Sequence, residues 1–209
     1  MDQIIERESK KENFFFVQIG SCDGVLGDPI HEYIIKNQWS GVLVEPVRYL
    51  FEQLVHNYKG QKNLIFENAA VSDEMGFRDF YYLKQTADPL PYWYNQLGSF
   101  SVNSILKHEG VILGIEKYIV SEKVRTITVG SLLEKHKVKK INFLHMDVEG
   151  YDYEILKAFP WSLMKPDMIL FESKHLSASD YEEAQQFLRS HGYSLVKLKG
   201  DTFAFQNEY

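Results

Sequence analysis

The residues best placed to do chemistry are carboxylates and imidazoles at the ends of apolar runs. One run closes on His145-Met146-Asp147-Val148-Glu149-Gly150, and the next closes on Glu172 with His175 three residues further on. Alternate residues of a strand share a face, so Phe143, His145 and Asp147 point one way, Asp147 stands at the carboxyl end, and Glu149 falls in the turn. A carboxylate so placed can strip a proton from a reacting group. The same residue types also suit a divalent ion, Mg²⁺ or Mn²⁺ for carboxylate oxygens and a transition metal where histidine joins them. A structural reading competes: Glu149 as the cap of a helix starting near Tyr151, and His145 as a hydrogen-bonded core histidine. His145 is read as structural, and Asp147 as functional.

A second group lies near the N-terminus. The run 14–19 ends in Gly20-Ser21-Cys22-Asp23-Gly24. Glycines let backbone approach a ligand closely, and a following helix start offers amides to an anion. The loop is not G-x-G-x-x-G and the chain has no G-x-x-x-x-G-K-[ST], which weakens a dinucleotide or phosphate reading. Glu45 ends the next apolar run about 20 residues on, where an acid can hold both hydroxyls of a ribose. Loop and acid together point to a nucleoside cofactor. Asp23 alone reads as a turn cap, and Cys22 as a small buried residue rather than a reactive thiol. His108 follows Ile105-Leu106-Lys107 at the end of a short helix, where an imidazole favours the helix dipole; the alternative is a base or a group that holds an acceptor.

These residues need a frame to position them. Apolar runs at 14–19, 41–45 and 63–66 alternate with helical patterns whose apolar faces include Ile30, Tyr33, Ile34 and Leu50, Phe51, Leu54. Asp28-Pro29 reads as the start of the first of these. The alternation resumes with strands at 141–147 and 167–172, a helix at about 151–158, and a helix capped by Ser179 or Asp180 that Gly192 ends. This is the pattern of a parallel sheet with right-handed crossovers. Between 193–198 and 202–206 only a few residues remain, so those two strands must be antiparallel. Residues 77–128 break the rhythm, with one further strand at 77–83 and an aromatic stretch at 84–104 that is either a lid or a surface loop with its own cluster.

Composition bounds the partners. The 209 residues carry 23 Lys and Arg against 29 Asp and Glu, a formal charge of -6 with no long basic run. Duplex nucleic acid and an anionic membrane are therefore poor partners. One cysteine excludes an internal disulfide and a C-x-x-C zinc site, and fits a reducing compartment. No segment reads as a signal peptide or approaches the roughly 18 apolar residues of a span. The expectation is one cytoplasmic domain over 1–209 with 77–128 as an insertion or lid; nothing sets an oligomeric state.

Several stretches carry a resemblance. Val17-Gln18-Ile19-Gly20-Ser21-Cys22-Asp23-Gly24, Gly41-Val42-Leu43-Val44-Glu45-Pro46 and Asn68-Ala69-Ala70-Val71-Ser72-Asp73 are three of them. The most specific is Asp147-Val148-Glu149-Gly150-Tyr151-Asp152-Tyr153-Glu154-Ile155-Leu156-Lys157. From about 14 to 206 the chain resembles the FkbM family of class I S-adenosylmethionine methyltransferases. The resemblance implies a Rossmann-like α/β fold with one seven-stranded, mostly parallel sheet ordered 3-2-1-4-5-7-6, its last strand antiparallel. It implies S-adenosylmethionine held by Gly20, Ser21, Asp23, Gly24, Glu45 (on the ribose), Asn68 and Ala69 (flanking adenine), and Asp147. That strand order brings Glu172 and His175 beside Asp147 and Glu149, so a metal, if one is used, has Asp147, Glu149, Glu172 and His175 as ligands. The catalytic candidates are Asp147, Glu149 and His108, and the implied reaction is O-methylation of a sugar or small-molecule hydroxyl. The chain departs from the pattern at Gln18, where many class I enzymes carry an acid, and in reading G-S-C-D-G in the loop. The competing classes are a nucleotide-sugar or NAD(P) enzyme on a related sheet, and a binding module that keeps the fold without turnover.

Overall fold

The computed structural model describes residues 1–206; of the expected span 1–209, the last three residues lie outside the described part. In chain order the elements are α1 (Asp2–Glu8), β1 (Phe15–Ile19), α2 (His31–Asn37), β2 (Ser40–Val44), α3 (Arg48–Asn57), β3 (Leu64–Glu67), β4 (Ala70–Val71), β5 (Gly76–Leu83), β6 (Gly98–Ser99), α4 (Val102–Leu106), β7 (Ile119–Ile127), α5 (Val129–Lys135), β8 (Phe143–Met146), α6 (Asp152–Ala158), β9 (Met168–Glu172), α7 (Ala178–Ser190), β10 (Tyr193–Lys197) and β11 (Asp201–Gln206). Short 3-10 turns cover Tyr94–Gln96 and Ile115–Tyr118.

Seven strands form the main sheet in the order β10-β11-β9-β8-β1-β2-β3. β1 pairs in parallel with β2 and β8, β8 with β9, and β2 with β3; β11 runs antiparallel to both β9 and β10. The central strands are apolar on both faces because both faces are covered. Val17, Val42, Leu144 and Ile169 face one core with Leu156 and Leu188. Phe16, Leu43, Phe143 and Leu170 face the other with Ile34 and Leu54. Among the described residues no helix is long and apolar enough to cross a membrane.

The expectation of a single sheet needs correction. β4, β7, β5 and β6 make a second, four-stranded sheet. Counted along the whole chain, the main sheet therefore reads 3-2-1-8-9-11-10 rather than 3-2-1-4-5-7-6, since four strands leave it between β3 and β8. Two helix starts also differ. α2 begins at His31 with Ile30 at its cap position, because the Asp28 carboxylate accepts from the Ile30 amide (2.8 Å) in a turn ahead of the helix. α7 is capped by Ser177, whose hydroxyl accepts from the Asp180 amide at 3.1 Å. The stretch 84–104 is partly regular, with a 3-10 turn, β6 and the start of α4, and it lies over a small core of Leu83, Leu97, Ile105, Ile112, Ile115 and Tyr118.

Candidate active site

The loop after β1 is held to the exits of its two neighbours. The Gly20 and Ser21 amides both donate to the Val44 carbonyl at 3.0 Å, and the Asp147 amide donates to the Ile19 carbonyl at 3.0 Å. Gly20 has φ +81°, and a Cβ there would collide with the Asp147 carbonyl oxygen. Only glycine lets the exits of β1 and β8 approach this closely. Gly24 has φ +73° and backs onto the side chains of Leu54 and Tyr58, so its role is to pack the loop against α3.

Glu45 is 3% exposed. One carboxylate oxygen accepts from the Cys22 amide at 3.0 Å, the other from the Val47 amide at 2.8 Å. Burial pushes its pKa up to about 7 against the lowering effect of those two amides. An ionised carboxylate offers about four acceptor positions, so two remain for a ligand. The side chains of Asp23 and Ser21 are used within the loop itself. The Asp23 carboxylate closes a turn by accepting from the Val25 and Leu26 amides at 3.0 and 2.9 Å, and the buried Ser21 hydroxyl donates to the Gln18 carbonyl at 3.4 Å. The Asn68 side-chain amide donates to the carbonyls of Glu45 and Pro46 at 2.8 and 3.0 Å, fixing the exit of β2 while Ala69 lines the adjoining cavity.

Two cavities meet at this edge of the sheet. The first, narrow and mostly apolar, is walled by Glu45, Val47, Ala69, Leu97 and Phe100. The second, wider and partly open to solvent, is walled by Asp28, Trp93, His108, Glu172, Lys174 and Asp201. Gly20, Cys22, Asp147 and Glu149 line both. The Asp147 side chain opens into this junction and is exposed there, although protein surrounds it on most sides.

The acids expected to converge do so. Asp147, Glu149 and Glu172 each place an oxygen within 4.8 Å of the others, and His108, Glu149 and His175 place ligand atoms within the same mutual distance. Glu149 takes φ +53°, a left-handed turn that is rare for a residue with a side chain. His175 Nε2 lies 3.2 Å from a Glu149 oxygen, and Lys174 Nζ lies 2.5 Å from Glu172 Oε1. Burial raises the pKa of all three carboxyls. Repulsion from Asp147 adds to the rise at Glu149 and Glu172, while Lys174 pulls against it. His175 is pushed down to about 4 by burial and by Lys174 and His108.

His145 is a buried core histidine, its Nδ1 3.1 Å from the Gln18 amide nitrogen, and burial alone lowers its pKa to about 4. Gln18 also donates to Asp28 at 3.1 Å. Asp28, which local sequence reads as a helix cap, thus supplies a carboxylate beside the strand position that lacks an acid. Its pKa is raised by burial to about 6. Lys174 and Asp201 join this wall without a motif of their own; the one sequence signal is that Lys174 stands between Glu172 and His175. His108 lies on this cavity, its ring 5.6 Å from that of His175 and 5.5 Å from Trp93.

Residues 18–195 match the family model described as the methyltransferase FkbM domain. No curated protein matches the sequence. Among solved structures the chain is similar to the METTL16 MTase domain, with 9% identity over 100% of this chain and 66% of that one and a TM-score of 0.51. It is similar to the human methyltransferase 10 domain containing protein, with 9% identity over 99% and 80% and a TM-score of 0.50. It also aligns with Aeropyrum pernix fibrillarin in complex with natively bound S-adenosyl-L-methionine, at 10% identity over 95% and 67% and a TM-score of 0.48. The first two likenesses are of fold.

Proposed function

Since this chain belongs to the FkbM methyltransferase family, an S-adenosylmethionine-dependent one, we propose that it methylates a hydroxyl oxygen of a small polyhydroxylated acceptor such as a sugar, with Asp147 receiving the proton. The observation that carries this reading is the place of Asp147 at the junction of the two cavities.

The residues of the first cavity fit the cofactor. Glu45 has acceptor positions left for a ribose diol, and Val47, Ala69 and Phe100 offer an apolar slot for adenine. Asp28 and Gln18 lie toward the side where an amino group needs an anionic partner. When bound, S-adenosylmethionine supplies an electrophilic methyl group on a sulfonium. The protein's part is to align the acceptor oxygen, exclude water and take the proton. Asp147 is suited to the last task because burial has raised its proton affinity toward neutrality.

The second cavity supports the choice of acceptor. Asp28, Asp147, Glu149, Glu172 and Asp201 line it, with Lys174 as the one lysine or arginine among its described lining residues. Such a wall repels phosphate backbones and accepts hydroxyl donors. Tyr92 and Trp93 add ring faces of the kind that pack on sugars. With a single cysteine in the chain, a reducing, cytoplasmic setting fits this reading.

The Asp147→Asn variant tests it. The side chain keeps its size, so affinity for S-adenosylhomocysteine should stay within a few-fold of wild type by calorimetry. Turnover should fall about 10²–10⁴-fold. Wild-type turnover in the variant would overturn the role of Asp147. A wild-type protein that binds the cofactor and methylates no acceptor would be a binding module, and one that binds NAD(P) in preference would belong to the dinucleotide class.

A further inference from the structure

We propose that His108, Glu149 and His175 bind a divalent transition-metal ion in the wall of the second cavity, with Glu172 and Asp147 beside it. The proposal deepens the reading of that cavity as the acceptor site and rests on it for the ion's purpose, though not for its binding.

The donor set is the first argument. One ligand atom from each of the three residues lies within 4.8 Å of the other two, and the Asp147–Glu149–Glu172 group shares Glu149 with it. Two imidazoles and a carboxylate select a first-row transition ion over Mg²⁺, which prefers an all-oxygen shell. The second argument is independent of residue type. His108 Nε2 and Glu172 Oε2 are buried atoms with no hydrogen-bond partner, and Glu172 is 1% exposed. Buried polar atoms are almost always satisfied, so two orphans on one cavity wall mark a missing positive partner. Charge is the third. Three carboxylates lie within 4.8 Å of one another with the Lys174 ammonium on Glu172, and a divalent ion between them would relieve their mutual repulsion.

The ligands come from three different elements. His108 follows α4 in the segment over the cavity, Glu149 sits in the left-handed turn after β8, and His175 lies in the turn after β9. An ion there would tie the covering segment to two strands of the main sheet. It would also hold an acceptor hydroxyl and lower its pKa beside Asp147, which takes the proton.

The test uses the full chain, stripped with chelator and titrated with Co²⁺ as an optical and magnetic probe. Neither methyl donor nor acceptor is needed, so a failed titration leaves the methylation reading standing, and a failed methylation assay leaves the metal site standing. One equivalent should bind, with visible bands showing imidazole nitrogen in the shell. His108→Gln and His175→Gln should each weaken binding by at least about 100-fold, beyond the 10–100-fold typical of groups that only orient a ligand. His56→Gln, on the far helix α3, should bind as wild type. Paramagnetically shifted ring signals from two histidines in the wild-type protein give the same answer where a variant does not fold. No stoichiometric uptake, two unaffected variants, or no shifted imidazole signal would overturn the proposal.

Discussion

Glu45 shows how much one side chain can be asked to do. Its oxygens fasten the β1 loop through Cys22 and the α3 entrance through Val47, and it lines the first cavity, where we propose the cofactor binds. Glu45→Ala should therefore weaken S-adenosylhomocysteine binding by roughly 1.5–3 kcal/mol, the range for a charge-assisted hydrogen bond. Calorimetry reads this directly, and an unchanged affinity would remove Glu45 from the cofactor site. Glu45 and Asp147 were legible in the sequence because each ends an apolar strand, and in a parallel sheet strand ends are where ligands sit. Asp28 was not. Its carboxylate divides between the Ile30 amide, which local sequence suggests, and the side chain of Gln18, which only the folded β1 presents. His108 was misleading for a related reason: the helix-end reading is true of its position, while its ring meets His175 across the cavity.

At the scale of elements, the strands of the main sheet were readable because burial on both faces leaves unbroken apolar runs. The second sheet was hidden. β4 and β6 are two residues each, and β7 exposes Ser121, Glu122 and Lys123 in its middle, so its polar stretch reads as loop. What joins the two sheets was also invisible: Glu67 at the end of β3 takes hydrogen bonds from Arg125 on β7, from Lys135 (2.7 Å) at the end of α5 and from His136 (2.7 Å) beside it. Burial alone would raise the Glu67 pKa, but the hydrogen bonds from Lys135, His136 and Arg125 outweigh it and hold the carboxyl at about 2. A lowered folded-state value stabilises the fold above the ordinary carboxyl range, and that stabilisation is lost as pH falls through the folded value. Glu67→Gln should thus cost about 3 kcal/mol at neutral pH, with the gap to wild type shrinking below pH 4.5 and nearly closing toward pH 2. Urea unfolding across that range is the check, and a gap that does not change with pH would refute the pairing.

Over the whole molecule, the segment 84–118 is both a folded unit and a cover. It has its own core and is joined to the rest of the fold through the pairing of β6 with β5, Gln96 on the Leu26 carbonyl and the Tyr49 hydroxyl on the Asn95 carbonyl at 3.5 Å. Amides in 84–104 should exchange faster in the free protein and slow when S-adenosylhomocysteine and an acceptor bind. Equal exchange in both states would make the segment a fixed roof. Function turns on what the covered cavity accepts, and one measurement addresses that most directly. The protein is incubated with S-adenosylmethionine carrying a ¹³C methyl group, against a panel of neutral polyhydroxylated small molecules and against RNA, and the labelled carbon is located by its chemical shift. The account predicts label on an ether oxygen of a small polyhydroxylated acceptor. Label on a nitrogen, or on RNA alone, would contradict it.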